Sequence, residues 1–124
     1  MSRPYFYLAS PYTHPNAKVR ELRFRAAAAA AGALMDLRIF TYVPIAMTHP
    51  IEIEIGPRPL EVWLDLDMPL LERSSGLIEL ALPGWQASKG MERERYAAQA
   101  FGLPIFLAEP RVLVPREILD ALGE

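Results

Sequence analysis

The chain has 124 residues, of which 52% are apolar and 23% charged, and its net charge is -2. This length predicts one domain spanning residues 1–124, with a core large enough to fold without cross-links. The chain has no cysteine, which excludes disulfides, a thiolate nucleophile and sulfur-ligated zinc. Without a basic surplus, no nucleic-acid polymer is expected as a partner, whereas a small nucleotide is compatible with this charge.

The first residues, MSRPYFYLASPYTHP, contain no long apolar segment and are interrupted by prolines. They therefore do not resemble a signal peptide. No stretch reaches the roughly 18 consecutive apolar residues that a membrane helix needs. We expect a soluble cytoplasmic protein that has no membrane contact.

Strand-like and helix-like segments alternate along the chain. Short runs rich in apolar, aromatic and β-branched residues predict four strands, at 5–9, 39–43, 76–82 and 104–108. Longer segments with helix formers and terminal signals predict four helices, at 16–37, 60–73, 89–101 and 115–122. Pro69 is expected to kink or restart the second helix, and the proline-containing residues 44–59 are expected to form a loop.

This alternation predicts an α/β fold, because strands joined by helices of this length pair in parallel. The expected architecture is a three-layer α/β/α sandwich with a mostly parallel, flavodoxin-like or Rossmann-like sheet. The alanine run 26–31 predicts a thin helix face packed close to that sheet. Ligands of such sheets bind beyond the carboxyl ends of the strands, which directs attention to residues 10–16, 44–59 and 83–90.

Glu94 is the first candidate for chemistry. On the helix 89–101 it lies on an otherwise small or apolar stripe, formed by Gly90, Ala97, Ala98 and Phe101. This stripe predicts that the carboxylate faces the sheet near the ligand-binding end. Burial alone would raise the pKa of Glu94, whereas the nearby helix N-terminus favours the anion. A carboxylate held ionised in a half-dry pocket can act as a nucleophile. The alternative is a glutamate that complements the helix dipole or pairs with Arg93 or Arg95.

Asp67 repeats this pattern on the preceding helix. It is the only polar member of a helical stripe shared with Leu60, Trp63, Leu70 and Leu71. The stripe predicts a second inward-facing carboxylate. The alternative is that Asp67 caps a helix that restarts at Pro69.

Ser88 and Gly90 mark the start of the helix that carries Glu94. A hydroxyl and free backbone N–H groups at a helix N-terminus fit a phosphate, although Ser88 could also be an ordinary N-cap. Neither His14 nor His49 has a partner at metal-ligand spacing, so each is interpreted as a hydrogen-bonding residue in a loop. Since the chain has no P-loop and no G-x-G-x-x-G motif, nucleoside triphosphates and dinucleotides are not expected.

Three motifs follow one another between residues 5 and 108. The first is YLASPY from Tyr7, the second is the segment 63–67 followed by an apolar strand, and the third is Ser88-x-Gly90-x-x-x-Glu94-x-x-x-Ala98 with a later Gly-x-Pro. This ordered set resembles the nucleoside 2-deoxyribosyltransferase superfamily. Together with the proline-histidine loop, it most resembles a small bacterial and phage family near the nucleoside 5'-monophosphate N-glycosidases.

The resemblance implies N-glycosidic chemistry. The glutamate matched by Glu94 attacks the anomeric carbon of a nucleoside or its 5'-monophosphate, and a covalent glycosyl-enzyme forms. Water resolves this intermediate in the hydrolases, and a second base does so in the transferases. The tyrosine matched by Tyr7 orients the nucleophile, and the aspartate matched by Asp67 contacts or protonates the departing base. A serine at Ser88, where transferases usually have an acid, implies a 5'-monophosphate and hydrolysis.

Several positions depart from the superfamily's pattern. Pro11 and Tyr12 occupy the place of a Gly-rich, Ser-bearing loop, and Arg95 with Tyr96 replaces an aliphatic or Leu-Gly pair. Glu92 is a neighbouring candidate for the acid, although it groups with the polar face of its helix. The residues expected to bind substrate are Ser10, Ser88, Gly90 and His49.

The resemblance also implies that no metal or organic cofactor takes part. A homodimer or a larger homo-oligomer is expected, with residues 47–59 and Trp63 at the subunit contact. The leading hypothesis is a nucleotide N-glycosidase, and a deoxyribosyltransferase is its alternative. Two further hypotheses belong to other classes of protein. One is a nucleotide-binding module without turnover, and the other is a structural subunit whose pocket is blocked by Trp85 or Tyr12.

Overall fold

The computed structural model describes residues 4–123. Residues 1–3 and 124 lie outside this described part of the chain. They belong to the predicted 1–124 domain, and residues 1–3 also belong to the N-terminal segment that was compared with a signal peptide. The strands are β1 (Phe6–Ala9), β2 (Thr41–Tyr42), β3 (Leu77–Leu80) and β4 (Ile105–Ala108). They form one parallel sheet in the order β2-β1-β3-β4. All four predicted strands are therefore confirmed, with shorter bounds.

Five α-helices connect and follow these strands in the described residues. They are α1 (Ala17–Asp36), α2 (Pro44–Ile55), α3 (Leu60–Glu72), α4 (Lys89–Ala100) and α5 (Arg116–Ala121). Four of them match the predicted helices to within about one residue at each end. Short 3-10 turns precede α4 and α5.

The two faces of the sheet bury two separate apolar cores, because successive residues of a strand point to opposite faces. Leu8, Ile78 and Leu80 pack against α1 and α5, whereas Tyr7 and Leu77 pack against α3 and α4. The result is the predicted three-layer α/β/α sandwich. Three alanines of α1 are fully buried in the first core, which confirms the thin helix face: Ala26, Ala27 and Ala30.

The prediction of a loop at residues 44–59 is wrong, because α2 occupies most of this segment. Pro44 is the first residue of the helix, a position where proline loses no helical hydrogen bond. Ile45, Thr48 and His49 are buried at helical spacing. Gly56, whose φ is 85°, ends the helix. Pro44 therefore begins a helix and Pro50 lies inside it at an exposed position. Both were misinterpreted as signs of a loop.

The expected restart at Pro69 is also wrong. The helix α3 continues from Leu60 to Glu72, so Asp67 lies in its interior and caps nothing. Pro69 and Asp65 are both exposed. Since the carbonyl that loses its helical partner to proline belongs to residue 65, water can satisfy it on the outer side of the helix.

The carboxyl ends of β1 and β3 lie side by side in the middle of the sheet. After β1 the chain enters α1 on one face, and after β3 it enters α4 on the other face. In parallel α/β sheets, this divergence opens a crevice that receives ligands. No helix in the described part of the chain is long and apolar enough to cross a membrane.

Candidate active site

A cleft of about 950 Å³ lies at the carboxyl ends of the strands. All three segments singled out from the sequence contribute to its lining. Six of the seven predicted site residues line it: Ser10, His49, Asp67, Ser88, Gly90 and Glu94. The seventh, Tyr7, is fully buried beneath them. Tyr12 forms part of the wall and leaves the cleft open, unlike the blocked pocket expected for a structural subunit.

Glu94 faces inward, as its helical position predicts. It is only 7% exposed, and it shares the buried stripe of α4 with Met91 and Ala98. The hydroxyl of Tyr7 donates a hydrogen bond of 2.5 Å to its Oε2. Phe101, which was expected on the same stripe, lies just after α4 and is 39% exposed. The carboxyl group of Glu94 lies at the edge of the cleft, and Oε1 is the oxygen that Tyr7 does not bind.

The neighbouring charges of α4 are engaged elsewhere. Arg93 reaches Glu61 at the surface, and Arg95 forms an ion pair of 2.6 Å with buried Glu79 on β3. The alternative in which Glu94 pairs with an adjacent arginine is therefore wrong. The competing acid, Glu92, is exposed on the outer face of α4.

Burial dominates the electrostatics of Glu94. Loss of solvation raises its pKa to about 8, although the hydrogen bond from Tyr7 lowers it, and the nearby Asp67 raises it further. Of the two opposing effects expected from the sequence, burial and the nearby helix N-terminus, burial dominates the pKa of this carboxyl group. At neutral pH the neutral acid predominates, and the nucleophilic anion becomes more abundant as the pH approaches 8.

Asp67 forms a second pair of the same kind. It is 4% exposed, and the hydroxyl of Tyr42 donates a hydrogen bond of 2.9 Å to its Oδ1. Burial raises the pKa of Asp67 to about 6, against the lowering effect of the Tyr42 bond. Sequence reasoning missed Tyr42. Its place in the site follows from the pairing of β1 with β2, which puts Tyr7 and Tyr42 side by side and which no local sequence signal shows.

The two pairs together define what the site can do chemically. Burial and the adjacent carboxyl groups raise the pKa of both tyrosines above their ordinary value, so each phenol keeps its proton and acts as a donor. The two carboxyl groups titrate at different pH, near 6 and near 8. A cleft with two acids of unequal strength can supply one nucleophile and one proton donor.

Ser88 begins α4 and lines the cleft at the same time. Its Oγ accepts a hydrogen bond of 3.2 Å from the backbone N–H of Met91, which confirms the N-cap interpretation. The hydroxyl proton of Ser88 is not used in this bond and can be donated to a ligand. Gly90 follows in the first turn, where a Cβ would meet only Leu60 and Ser88, at 3.7 and 3.9 Å. Packing therefore does not require glycine at this position.

Ser10 lies where β1 ends, and its Oγ is buried without a hydrogen-bond partner among the described residues. Arg23 of α1, which also lines the cleft, joins the two central loops. It donates to the carbonyl of Thr13 at 3.0 Å and to that of Pro83 at 3.4 Å. The lining of the cleft thus includes an unused hydroxyl and a fixed cation.

His49 lies on α2, not in a loop as predicted. Its Nδ1 contacts the hydroxyl of Tyr12 at 2.9 Å, and its Nε2 contacts Glu21 at 2.7 Å. Phe24 stacks on its ring at 4.6 Å. Because both ring nitrogens are engaged by the protein, His49 holds the wall of the cleft, and Tyr12 is presented at its surface. Sequence reasoning missed Glu21, whose position in the second turn of α1 resembles that of an ordinary surface residue.

Trp63 of α3 and Glu52 of α2 also line the cleft. The indole Nε1 donates a hydrogen bond of 2.7 Å to Glu52. The same carboxylate accepts a hydrogen bond of 3.1 Å from the backbone N–H of Arg58. The guanidinium of Arg58 reaches the carbonyls that end α2 and begin the connection to α3. Trp63, expected at a subunit contact, is thus held against α2 within one chain.

These features define a small parallel α/β protein whose cleft carries two tyrosine-bound carboxyl groups. The chain belongs to the family described as Domain of unknown function (DUF1937), whose sequence model matches residues 4–110. The matched region contains every candidate site residue. A comparison with curated proteins finds no match. Among residues 4–123, no group of three or more His, Asp and Glu side chains is placed to hold a metal ion.

Proposed function

We propose that the protein is an N-glycosidase that cleaves the base–sugar bond of a (deoxy)ribonucleoside 5'-monophosphate, with Glu94 as the nucleophile. The observation that carries this proposal is the buried carboxyl group of Glu94 at the edge of a cleft, with Oε2 bound by Tyr7. The motifs that resemble the nucleoside 2-deoxyribosyltransferase superfamily lead to the same residue.

In the proposed reaction, the two acids share one proton, and the reactive arrangement has it on Asp67 and leaves Glu94 ionised. This arrangement is the less abundant one, because Asp67 is the stronger acid. Oε1 of Glu94 then attacks the anomeric carbon of the sugar. The bond to the base breaks, its electron pair goes to the base nitrogen, and Asp67 supplies the proton. Water then attacks the anomeric carbon, the ester bond to Glu94 breaks, and Asp67 takes the proton of the water. Tyr7 keeps its proton throughout and fixes the rotamer of the nucleophile through Oε2.

Charge and hydroxyl groups in the cleft support a phosphorylated substrate. Arg20, Arg23 and Lys89 line it together with Ser88 at the N-terminus of α4. Cations and a helix N-terminus both favour an anion, and a serine hydroxyl can donate to a phosphate oxygen. A nucleoside with an uncharged 5'-hydroxyl would use none of these cations.

The test is incubation of the purified protein with a panel of ribonucleoside and deoxyribonucleoside 5'-monophosphates, followed by chromatography for free base. Release of base from at least one of them is expected. If nucleotides raise the thermal unfolding temperature and no base appears, the non-catalytic binding module replaces this proposal. If a second free base is exchanged into nucleotide without hydrolysis, the deoxyribosyltransferase replaces it.

Gly90→Ala separates packing from ligand binding. The substitution is expected to leave stability unchanged or to raise it by up to about 1 kcal/mol, because alanine favours helix and its Cβ makes only ordinary contacts. It should weaken nucleotide binding, because the methyl group narrows the approach to the N-terminus of α4. Both effects are measured by thermal unfolding with and without a nucleotide from which the wild-type protein releases base. A wild-type ligand response would remove Gly90 from the proposed phosphate site.

We also propose that the protein acts as a homodimer or larger homo-oligomer through α2 and α3. Large apolar side chains are exposed on these two helices, from 43% to 67%: Met47, Ile53, Ile55, Val62 and Leu66. Apolar side chains grouped in this way mark association surfaces. Size-exclusion chromatography with light scattering is expected to give at least twice the mass of one chain, and a monomeric mass would contradict the proposal.

A further inference from the structure

The two tyrosine–carboxyl pairs are built in parallel. Tyr7 and Tyr42 are paired residues of adjacent strands, and their ring centroids lie 5.7 Å apart. Each phenol reaches a carboxyl group on a different helix, Glu94 on α4 and Asp67 on α3. In the reaction as described above, both carboxyl groups and Tyr7 have a role, whereas Tyr42 has none. The Tyr42 pair is equally well formed and needs its own explanation.

The direction of the Tyr42 hydrogen bond distinguishes the two oxygens of Asp67. A phenol has one proton, and Tyr42 donates it to Oδ1. A proton placed on Oδ1 would compete with this bond, so the proton of neutral Asp67 belongs on Oδ2. Tyr42 is not among the residues that line the cleft, whereas Asp67 is. The bond therefore holds the carboxyl group from the protein side.

We infer that Tyr42 is a positioning residue for proton transfer: by binding Oδ1, it presents Oδ2 of Asp67 to the cleft as the oxygen that protonates the departing base. This inference rests on the proposed function. The proton passes from Oδ2 to the base nitrogen as the glycosidic bond breaks, and Oδ2 takes a proton back from the attacking water. No further reactant is needed, and Tyr42 itself neither gains nor loses a proton.

The surroundings of Asp67 give this role a measurable sign. The groups that face it from the neighbouring elements are Tyr42 of β2, Tyr7 of β1 and Glu94 of α4. The Tyr42 bond lowers the pKa of Asp67, against the effect of burial. Removal of the hydroxyl is therefore expected to raise this pKa above about 6.

Tyr42→Phe tests the inference, because it removes the hydroxyl and keeps the ring contact with Tyr7. We expect kcat to fall about tenfold to a hundredfold with little change in KM, since a misoriented proton donor impairs the chemical step. Because Asp67 is the stronger of the two acids that share one proton, its pKa sets the acidic limb of the pH–rate profile, which should move to higher pH. The matched control is Tyr5→Phe, because the hydroxyl of Tyr5 donates to the backbone of Leu70 on the same helix. This control should keep the wild-type rate and profile.

Two further measurements separate this inference from the proposed function. In the Asp67→Asn background, Tyr42→Phe should produce no additional shift of the profile. Carbon NMR of the Asp67 carboxyl group should show a higher pKa in Tyr42→Phe and an unchanged one in Tyr5→Phe. An unchanged Asp67 titration in Tyr42→Phe overturns the inference alone. A wild-type protein that releases no base overturns the proposed function and the proton-transfer role with it.

Discussion

Glu94→Gln is expected to reduce the rate of base release by about a thousandfold or more, because an amide cannot form the glycosyl ester. The fold should persist, since the amide oxygen of glutamine can still accept the hydrogen bond from Tyr7 and the side chain keeps its volume. The rate is measured by chromatography of free base at saturating nucleotide. Circular dichroism and the unfolding midpoint report that the variant is folded.

The control for this experiment is Glu92→Gln, the same substitution two residues earlier on the exposed face of α4. It makes the same chemical change on the same helix and should leave the rate within about twofold of wild type, as expected for a surface substitution. A Glu94→Gln protein that keeps more than about a tenth of the wild-type rate would rule out Glu94 as the nucleophile.

The second large effect is on stability and needs no substrate. The pKa of Glu94 rises from 4.5 to about 8 on folding, so the folded protein binds this proton more tightly than the unfolded chain does. The resulting stabilisation is present below pH 4.5 and is lost as the pH rises to about 8. This single group is expected to reduce the free energy of unfolding by about 5 kcal/mol across that window.

Urea unfolding of wild type and Glu94→Gln at several pH values measures this effect. The Glu94→Gln protein lacks this titrating group. The difference between its free energy of unfolding and that of wild type should therefore increase steadily toward pH 8. Asp67 acts with the same sign, but its pKa of about 6 confines its contribution to lower pH and leaves it equal in both proteins. Parallel stability curves for the two proteins would show that Glu94 is not buried as a neutral acid.

Local periodicity was sufficient to place the two acids. Glu94 and Asp67 each interrupt an apolar helical stripe, and a lone charge on such a stripe must face either the core or a cleft. The actual stripes are turned slightly from the predicted ones, with Met91 and Leu64 buried and Phe101 partly exposed. The inward direction of both carboxyl groups survives this small rotation.

Features that depend on pairing between distant segments were not predictable in this way. Tyr42 reaches Asp67 only because β2 pairs with β1 in one particular register, which no local pattern reveals. Glu21 meets His49 because α1 packs against α2, a helix that the sequence reading treated as a loop. Pro44 was ambiguous, since proline is equally at home in a loop and in the first turn of a helix.

The cleft divides along the plane of the sheet. Both acids stand on α3 and α4, held by phenols that belong to the strands, whereas His49, Glu21 and the two arginines of its opposite wall come from α1 and α2. The two acids and the two arginines are thus carried by separate layers of the molecule. Substitutions in α1 and α2 can redirect such a scaffold to a different ligand while the spacing of its acids is preserved by the rigid strands beneath them.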